Sequence, residues 1–299
     1  DDISGWVDFD SPLSRLLEEP GSSEDSHTFT FDVTPDDSLE AGTQVAIGIQ
    51  GRAGSEIGCE KILTVTVGQE FGASMSLSKS RLSNVEPGTS GTLSIQITNQ
   101  GNGQETMALG TSGVPPGWQV SFSQSTVTLG SSQSSNNKET VSVDIFVPED
   151  ASAESDTVIS FTVGRGGGTT PYDSKDLTVS VAPRHEVSTS MVSDQQTGRS
   201  DQIVKFPIVV TNDGNIRDTF RLQACDPGDQ TGCSSPMWES SFSDSDGNSI
   251  SQIALDPGQS SQVYLDVLVE GEEDADSARV LVRIAIFGTS ESSEHTVSV

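Results

Sequence analysis

Three tryptophans each head a similar run of sequence, and their spacing constrains the fold of this chain more than any other feature. Trp118 opens WQVSFSQSTVTLG, and 27 residues later Ile145 stands in the strand-like run VSVDIFV. Trp6 opens WVDFD with Val33 at the same distance inside FTFDV, and Trp238 opens WESSFSD with Leu265 there inside VYLDVLV. A spacing kept over two cycles of 112 and 120 residues argues for one repeated unit. The repeat predicts three domains: a truncated first copy over 1–68, holding the closing strands of a β-sandwich, a complete copy over 69–182, and a third over 183–299. With its first copy cut in this way, the chain is expected to be a piece of a longer protein.

Alternation of period two sets the fold class. In the middle copy it marks strands near 75–77, 91–98, 105–110, 119–122, 126–129, 139–147, 156–163 and 177–181. The third copy repeats the plan at 203–210, 219–223, 251–255, 262–269, 279–286 and 295–299, and the first keeps 27–33, 44–49 and 61–67. In the strand at 262–269, Val263, Leu265, Val267 and Val269 are expected to face inward and Asp266 to face water. Only SPLSRLLEEP, 11–20, reads as helix-like, for a turn or two. Such strand density in units of about 110 residues fits an all-β fold of tandem two-sheet β-sandwiches. The linkers GQEFG (68–72) and APRHE (182–186) are short, so a semi-rigid rod is expected rather than beads on a flexible string.

Composition narrows the partners. With 44 acidic and 15 basic residues, the net charge of −29 repels nucleic acid and anionic membranes. The acid is scattered through loops such as SSEDS, VPEDASAESD and EGEEDAD, the pattern of a solvated surface suited to high salt. No stretch reaches the roughly 20 apolar residues of a membrane-spanning helix. Cys225 and Cys233 flank seven residues, CDPGDQTGC, whose Pro-Gly and Thr-Gly steps suit turns. A disulfide is expected there rather than zinc ligation, because no histidine lies nearby. Cys59 is left over, as a free thiol or with a partner outside these residues. The cysteines favour an extracellular or cell-surface location.

Four motifs recur. An Asn-Gly-Asn turn ends a strand in ITNQGNG (97–103) and VTNDGNIRD (210–218); Asn99 and Asn212 are expected to accept hydrogen bonds from their own turns, and Gly101 and Gly214 to take positive φ. The tryptophan motif is fullest in VPPGWQVSF (114–122). A Pro-Gly turn precedes a strand in VEPGTSGTLSI (85–95) and LDPGQSSQVYL (255–265). An acidic loop follows the long strand in TPDDSLEAG (34–42), VPEDASAES (147–155) and VEGEEDADS (269–277). Together these resemble the NEW3-type, or CARDB-like, immunoglobulin-like β-sandwich repeats of archaeal and bacterial secreted or cell-surface proteins. The third copy departs from the pattern in lacking proline at Glu270 and glycine before Trp238. The resemblance implies tandem immunoglobulin-like, Greek-key β-sandwiches in a surface context and supplies no functional residues; with the acidity it points to an archaeal or otherwise halophilic source.

Site candidates are few. Trp6, Trp118 and Trp238 could stack on sugars, but tryptophans at equivalent strand starts read first as packing landmarks. Asp244, Asp246 and Asn248 in DSDGNS, and Glu149 and Asp150 near the second linker, are oxygen-rich enough to be calcium candidates, against a plain solvated face. His27, His185 and His295 sit in no recurring nucleophile setting, so no catalytic residue and no enzyme is expected. No cofactor is expected, calcium apart. The function expected is a non-catalytic spacer or adhesive stalk of a larger surface protein. Its partners would be the rest of that polypeptide, other surface proteins or polysaccharide. The alternative is a carbohydrate- or protein-binding accessory module of a surface enzyme or receptor.

Overall fold

A computed structural model describes residues 5–9, 14, 16–23, 25–166, 168–229, 232–270 and 277–299. Its regular elements are all β-strands. No helix among the described residues is long and apolar enough to cross a membrane. The helix-like stretch 11–20 lies partly outside the described residues, and those of it that are described, 14 and 16–20, are not helical.

The described residues among the first 68 supply four strands: β1 (Val7–Phe9), β2 (Phe31–Val33), β3 (Gln44–Ala53) and β4 (Glu56–Thr66). They pair as two separate antiparallel ladders, β1 with β2 and β3 with β4. Two-stranded ladders enclose little apolar volume, and of the described residues before Ala73 only Ile47 is buried.

The following strands are β5 (Ala73–Leu77), β6 (Arg81–Val85), β7 (Ser90–Asn99), β8 (Glu105–Ser112), β9 (Gln119–Phe122), β10 (Thr126–Leu129), β11 (Lys138–Phe146), β12 (Thr157–Arg165) and β13 (Asp173–Val181). They form two sheets, ordered β5-β7-β11-β9 and β10-β8-β12-β13-β6. Alternate residues of both sheets, among them Leu93, Ile95, Val143, Ile145, Ile159, Phe161, Leu177 and Val179, point into one shared core. Phe122 of one sheet meets Phe161 of the other edge-on, with ring centroids 6.0 Å apart.

A second sandwich uses β14 (Val187–Met191), β15 (Ile203–Asn212), β16 (Asp218–Cys225), β17 (Ser240–Ser243), β18 (Ser249–Ile250), β19 (Gln252–Leu255), β20 (Ser260–Leu268), β21 (Arg279–Ile286) and β22 (Ser292–Ser298). Its sheets run β14-β15-β20-β17-β18 and β19-β16-β21-β22 around a core centred on Phe206, Phe220, Leu265 and Ile284. The parallel partner that β6 gives to β13 shrinks here to a single bridge, Gln195 to Ser298.

The 27-residue tryptophan spacing is a strand pairing. Val33, Ile145 and Leu265 sit opposite Val7, Val120 and Phe242, in the strands that follow Trp6, Trp118 and Trp238. Val263, Leu265, Val267 and Val269 are buried as the alternation requires. Asp266 departs from it: the side chain is largely covered and lies 3.0 Å from Lys205 Nζ, whose ammonium also stands 5.6 Å from the Tyr264 ring. An acid facing outward on a central strand is screened here by a cross-strand lysine.

Candidate functional site

The two linkers carry the chain's most specific side-chain chemistry. Each sandwich presents to the linker before it the turn between its long strand and the next, β7 to β8 and β15 to β16. The first asparagine of each turn folds the turn on itself. Asn99 Oδ1 accepts from the Gly101 N–H at 2.8 Å, and Nδ2 donates to the Gly103 and Gly130 carbonyls at 2.8 and 2.7 Å. Asn212 repeats this with the Gly214 N–H at 2.9 Å and the Ile216 and Leu255 carbonyls at 2.9 and 3.0 Å. Both are fully buried with all of this capacity used.

The second asparagine reaches outward. Asn102 Nδ2 donates to the Gly68 carbonyl at 3.0 Å, and its Oδ1 accepts from the Glu70 N–H at 2.8 Å. Asn215 Nδ2 donates to the Ala182 carbonyl at 3.0 Å, and its Oδ1 accepts from the Arg184 N–H at 2.6 Å. A carboxamide offers a donor and an acceptor side by side. It therefore brackets the carbonyl of one linker residue and the N–H two residues on, as a neighbouring strand would.

Loop residues that precede each linker are drawn in as well. The Ala41 N–H donates to the Asn102 carbonyl and the Ala153 N–H to the Asn215 carbonyl, both at 2.9 Å. Asn215 Nδ2 also reaches the Ala151 carbonyl at 3.1 Å, and Ser131 Oγ donates to Glu40 at 2.6 Å.

The glycines of these turns serve a different purpose from the one expected. Neither Gly101 nor Gly214 has positive φ. A Cβ on Gly101 would lie 2.3 Å from the Glu70 carbonyl oxygen, and one on Gly214 would lie 2.4 Å from that of Arg184. The linker backbone itself passes too close for any side chain.

Behind each linker an acid recurs at one offset. Glu105 and Asp218 head β8 and β16 and are only 6% and 7% exposed. Asp218 holds His185 of the linker, with Nδ1 at 2.9 and 3.0 Å from its two oxygens. Phe71 occupies the matching place in the first linker, with the Arg165 guanidinium 4.4 Å from its ring centroid. Glu105 Oε1 instead accepts from Tyr172 Oη at 2.6 Å. Burial first, and then this bond to Glu105, push the Tyr172 phenol up to about 12.

The residues singled out from sequence do not converge. Trp238 is buried in the second core, Trp118 packs half-buried against the first, and Trp6 is half-buried beside β1. Asp244 Oδ1 accepts from the backbone N–H groups of Asp246 and Asn248 at 2.9 and 2.8 Å, closing its own hairpin turn. The Asn248 side chain also donates from Nδ2 to Asp244 Oδ2 at 3.0 Å, and that bond first, then the backbone ones, hold the carboxyl below the usual range. Glu149 and Asp150 are exposed. Part of the acidic loop at 269–277 lies outside the described residues.

Cys225 and Cys233 form a disulfide, and Cys59 is an exposed free thiol on β4. His27 is exposed, and His295 Nε2 meets the Thr189 hydroxyl, which also bonds Ser293 Oγ at 2.7 Å. This chain ties β14 to β22 across one open side of the sandwich. In the other sandwich Asp173 makes the matching tie, accepting from the Met75 N–H at 2.8 Å.

No protein-family model matches this chain. No curated protein matches it either. Among solved structures it is similar to the adhesin InvE of Yersinia pseudotuberculosis, at 10% identity over 76% of this chain and 58% of that one, with a TM-score of 0.29. Domains 4 and 5 of the S-layer protein SbsC align at 18% identity over 50% of this chain and 69% of theirs, with a TM-score of 0.27. The secreted serine protease VesC of Vibrio cholerae aligns at 13% identity over 72% of this chain and 50% of its own, also at 0.27. The chain thus spans little more than half of the adhesin and half of the protease. At these scores the alignments decide nothing about function.

Proposed function

We propose that this chain is a run of tandem immunoglobulin-like β-sandwiches that serves as a non-catalytic extracellular spacer or adhesive stalk of a larger surface or secreted protein. The supporting observation is the asparagine clamp, made twice with the same atoms at Asn102 and Asn215. A flexible string of beads needs no amide brackets at its joints, whereas a stalk that transmits position does. On this reading 68/69 and 182/183 divide the repeats, and the joints make a semi-rigid rod.

The Cys225–Cys233 disulfide agrees with an oxidising exterior, and the charge of −29 with a solvated surface that avoids nucleic acid and anionic membranes. Small-angle X-ray scattering of the 299-residue chain tests the proposal. The expected result is an elongated particle whose maximum dimension is the same in low and high salt. A curve fitted only by freely jointed sandwiches contradicts it.

A further inference from the structure

The first linker leaves one piece of chemistry unfinished. Glu105 is 6% exposed, its Oε1 is taken by Tyr172, and its Oε2 has no hydrogen-bond partner. A buried acceptor without a donor calls for an explanation. At the second linker the equivalent Asp218 has both oxygens on His185, but Phe71, in the place of that histidine, has no donor to offer. Glu105 lines a cleft of about 380 Å³ between linker and sandwich, together with Gln69, Phe71, Gln104, Thr106 and Arg165. Arg165 also has capacity to spare. Its guanidinium rests on the Phe71 ring, and no carboxylate among the described residues lies within ion-pair distance of it.

We propose that this cleft binds a neutral saccharide through its ring hydroxyls. The occupant has to donate to Glu105 and accept from Arg165 within one small volume, and a hydroxyl group does both. A cationic ligand meets Arg165, and an anionic one meets Glu105 and a net charge of −29. A pyranose also carries an apolar C–H face, and Phe71, 42% exposed, leaves ring surface for it. Gln69 spends its Nε2 on the Gln104 carbonyl at 3.1 Å, which leaves its Oε1 as a further acceptor. Tyr172, kept protonated, holds Oε1 of Glu105 and leaves Oε2 for the ligand. Oε2 is shielded from solvent, so a ligand meets it only once the side chains lining the cleft shift aside. This site extends the proposed spacer towards adhesion, and it stands or falls independently of the asparagine clamps.

The test titrates the full chain, followed by amide NMR, with glucose, galactose, mannose and N-acetylglucosamine, each to about 100 mM. At least one sugar is expected to give saturable shifts at the Gln69, Phe71 and Thr106 amides, with a dissociation constant on the order of 1–10 mM. Glu105→Gln should weaken that binding at least about tenfold, and so should Phe71→Ala, an exposed linker change that spares the core. Three outcomes overturn the proposal: no saturable shift with any of the four sugars, binding undiminished in both variants, or saturation by calcium chloride, guanidinium chloride or glycylglycine in place of sugar.

Discussion

Replacing Asn215 by alanine removes three hydrogen bonds from the second linker and leaves the turn that presents it standing. The Nδ2 bonds to the Ala182 and Ala151 carbonyls go, as does the Oδ1 bond from the Arg184 N–H. Asn212 still folds the turn, and the main-chain bonds of residue 215 to Ala153 and Arg184 survive. With Asn215 only 3% exposed, about 1 kcal/mol net per bond gives a loss on the order of 3 kcal/mol. That free energy belongs to the joint rather than to either core, so it shows as local opening. Native-state amide exchange reads it directly. The Arg184 amide should exchange about 100-fold faster in Asn215→Ala, while the amides of Val263 and Leu265 change by less than about threefold. An unchanged rate at Arg184 would mean that the asparagine does not close the joint, and the reasoning fails.

Gly214→Ala places a methyl group 2.4 Å from the Arg184 carbonyl oxygen, so it should displace the linker and lower the melting temperature by several degrees. A melt no lower than that of the parent refutes the close-approach account. Asp173 is pushed up by burial, but the Met75 N–H, Lys175 and the Ser174 N–H outweigh this and hold it below the usual carboxylate range. Its contribution is therefore present above the unfolded value of about 3.9 and is lost as pH falls through the lowered folded value. Urea melts between about pH 5 and 2 should show a shallower acid limb in Asp173→Asn; identical limbs contradict the assignment. Reducing the Cys225–Cys233 bond should destabilise its sandwich by about 2–3 kcal/mol on the chain-entropy estimate, read as a shift in urea midpoint. No shift would show that the bridge constrains nothing the fold does not already hold.

Much of this fold is legible because its signals are local. The alternation that buries Val263 through Val269 is visible residue by residue, and the tryptophan spacing records which strand pairs with which. Short strands escape where the alternation breaks. Arg81–Val85 carries Asn84 at φ 54° and a register shift against β13, so its apolar residues do not keep period two. The self-folding roles of Asn99 and Asn212 follow from the turn alone.

The linker contacts are a different matter. Asn102 and Asn215 read as ordinary turn formers, because their partners Gly68 and Ala182 lie more than thirty residues away. Gly101 and Gly214 read as turn glycines for the same reason, and the backbone that excludes their side chains belongs to the linker. One signal was available. Glu105 and Asp218 stand six residues after Asn99 and Asn212, and an acid repeated at a fixed offset in a strand is more than a solvated charge.

Residual dipolar couplings across the second linker bear most directly on the central claim, that the asparagine clamps fix how successive sandwiches are held. Couplings from residues 73–181 and 187–299 should fit a single alignment tensor in the parent chain and require two in Asn215→Ala. Two independent tensors in the parent chain would contradict the account.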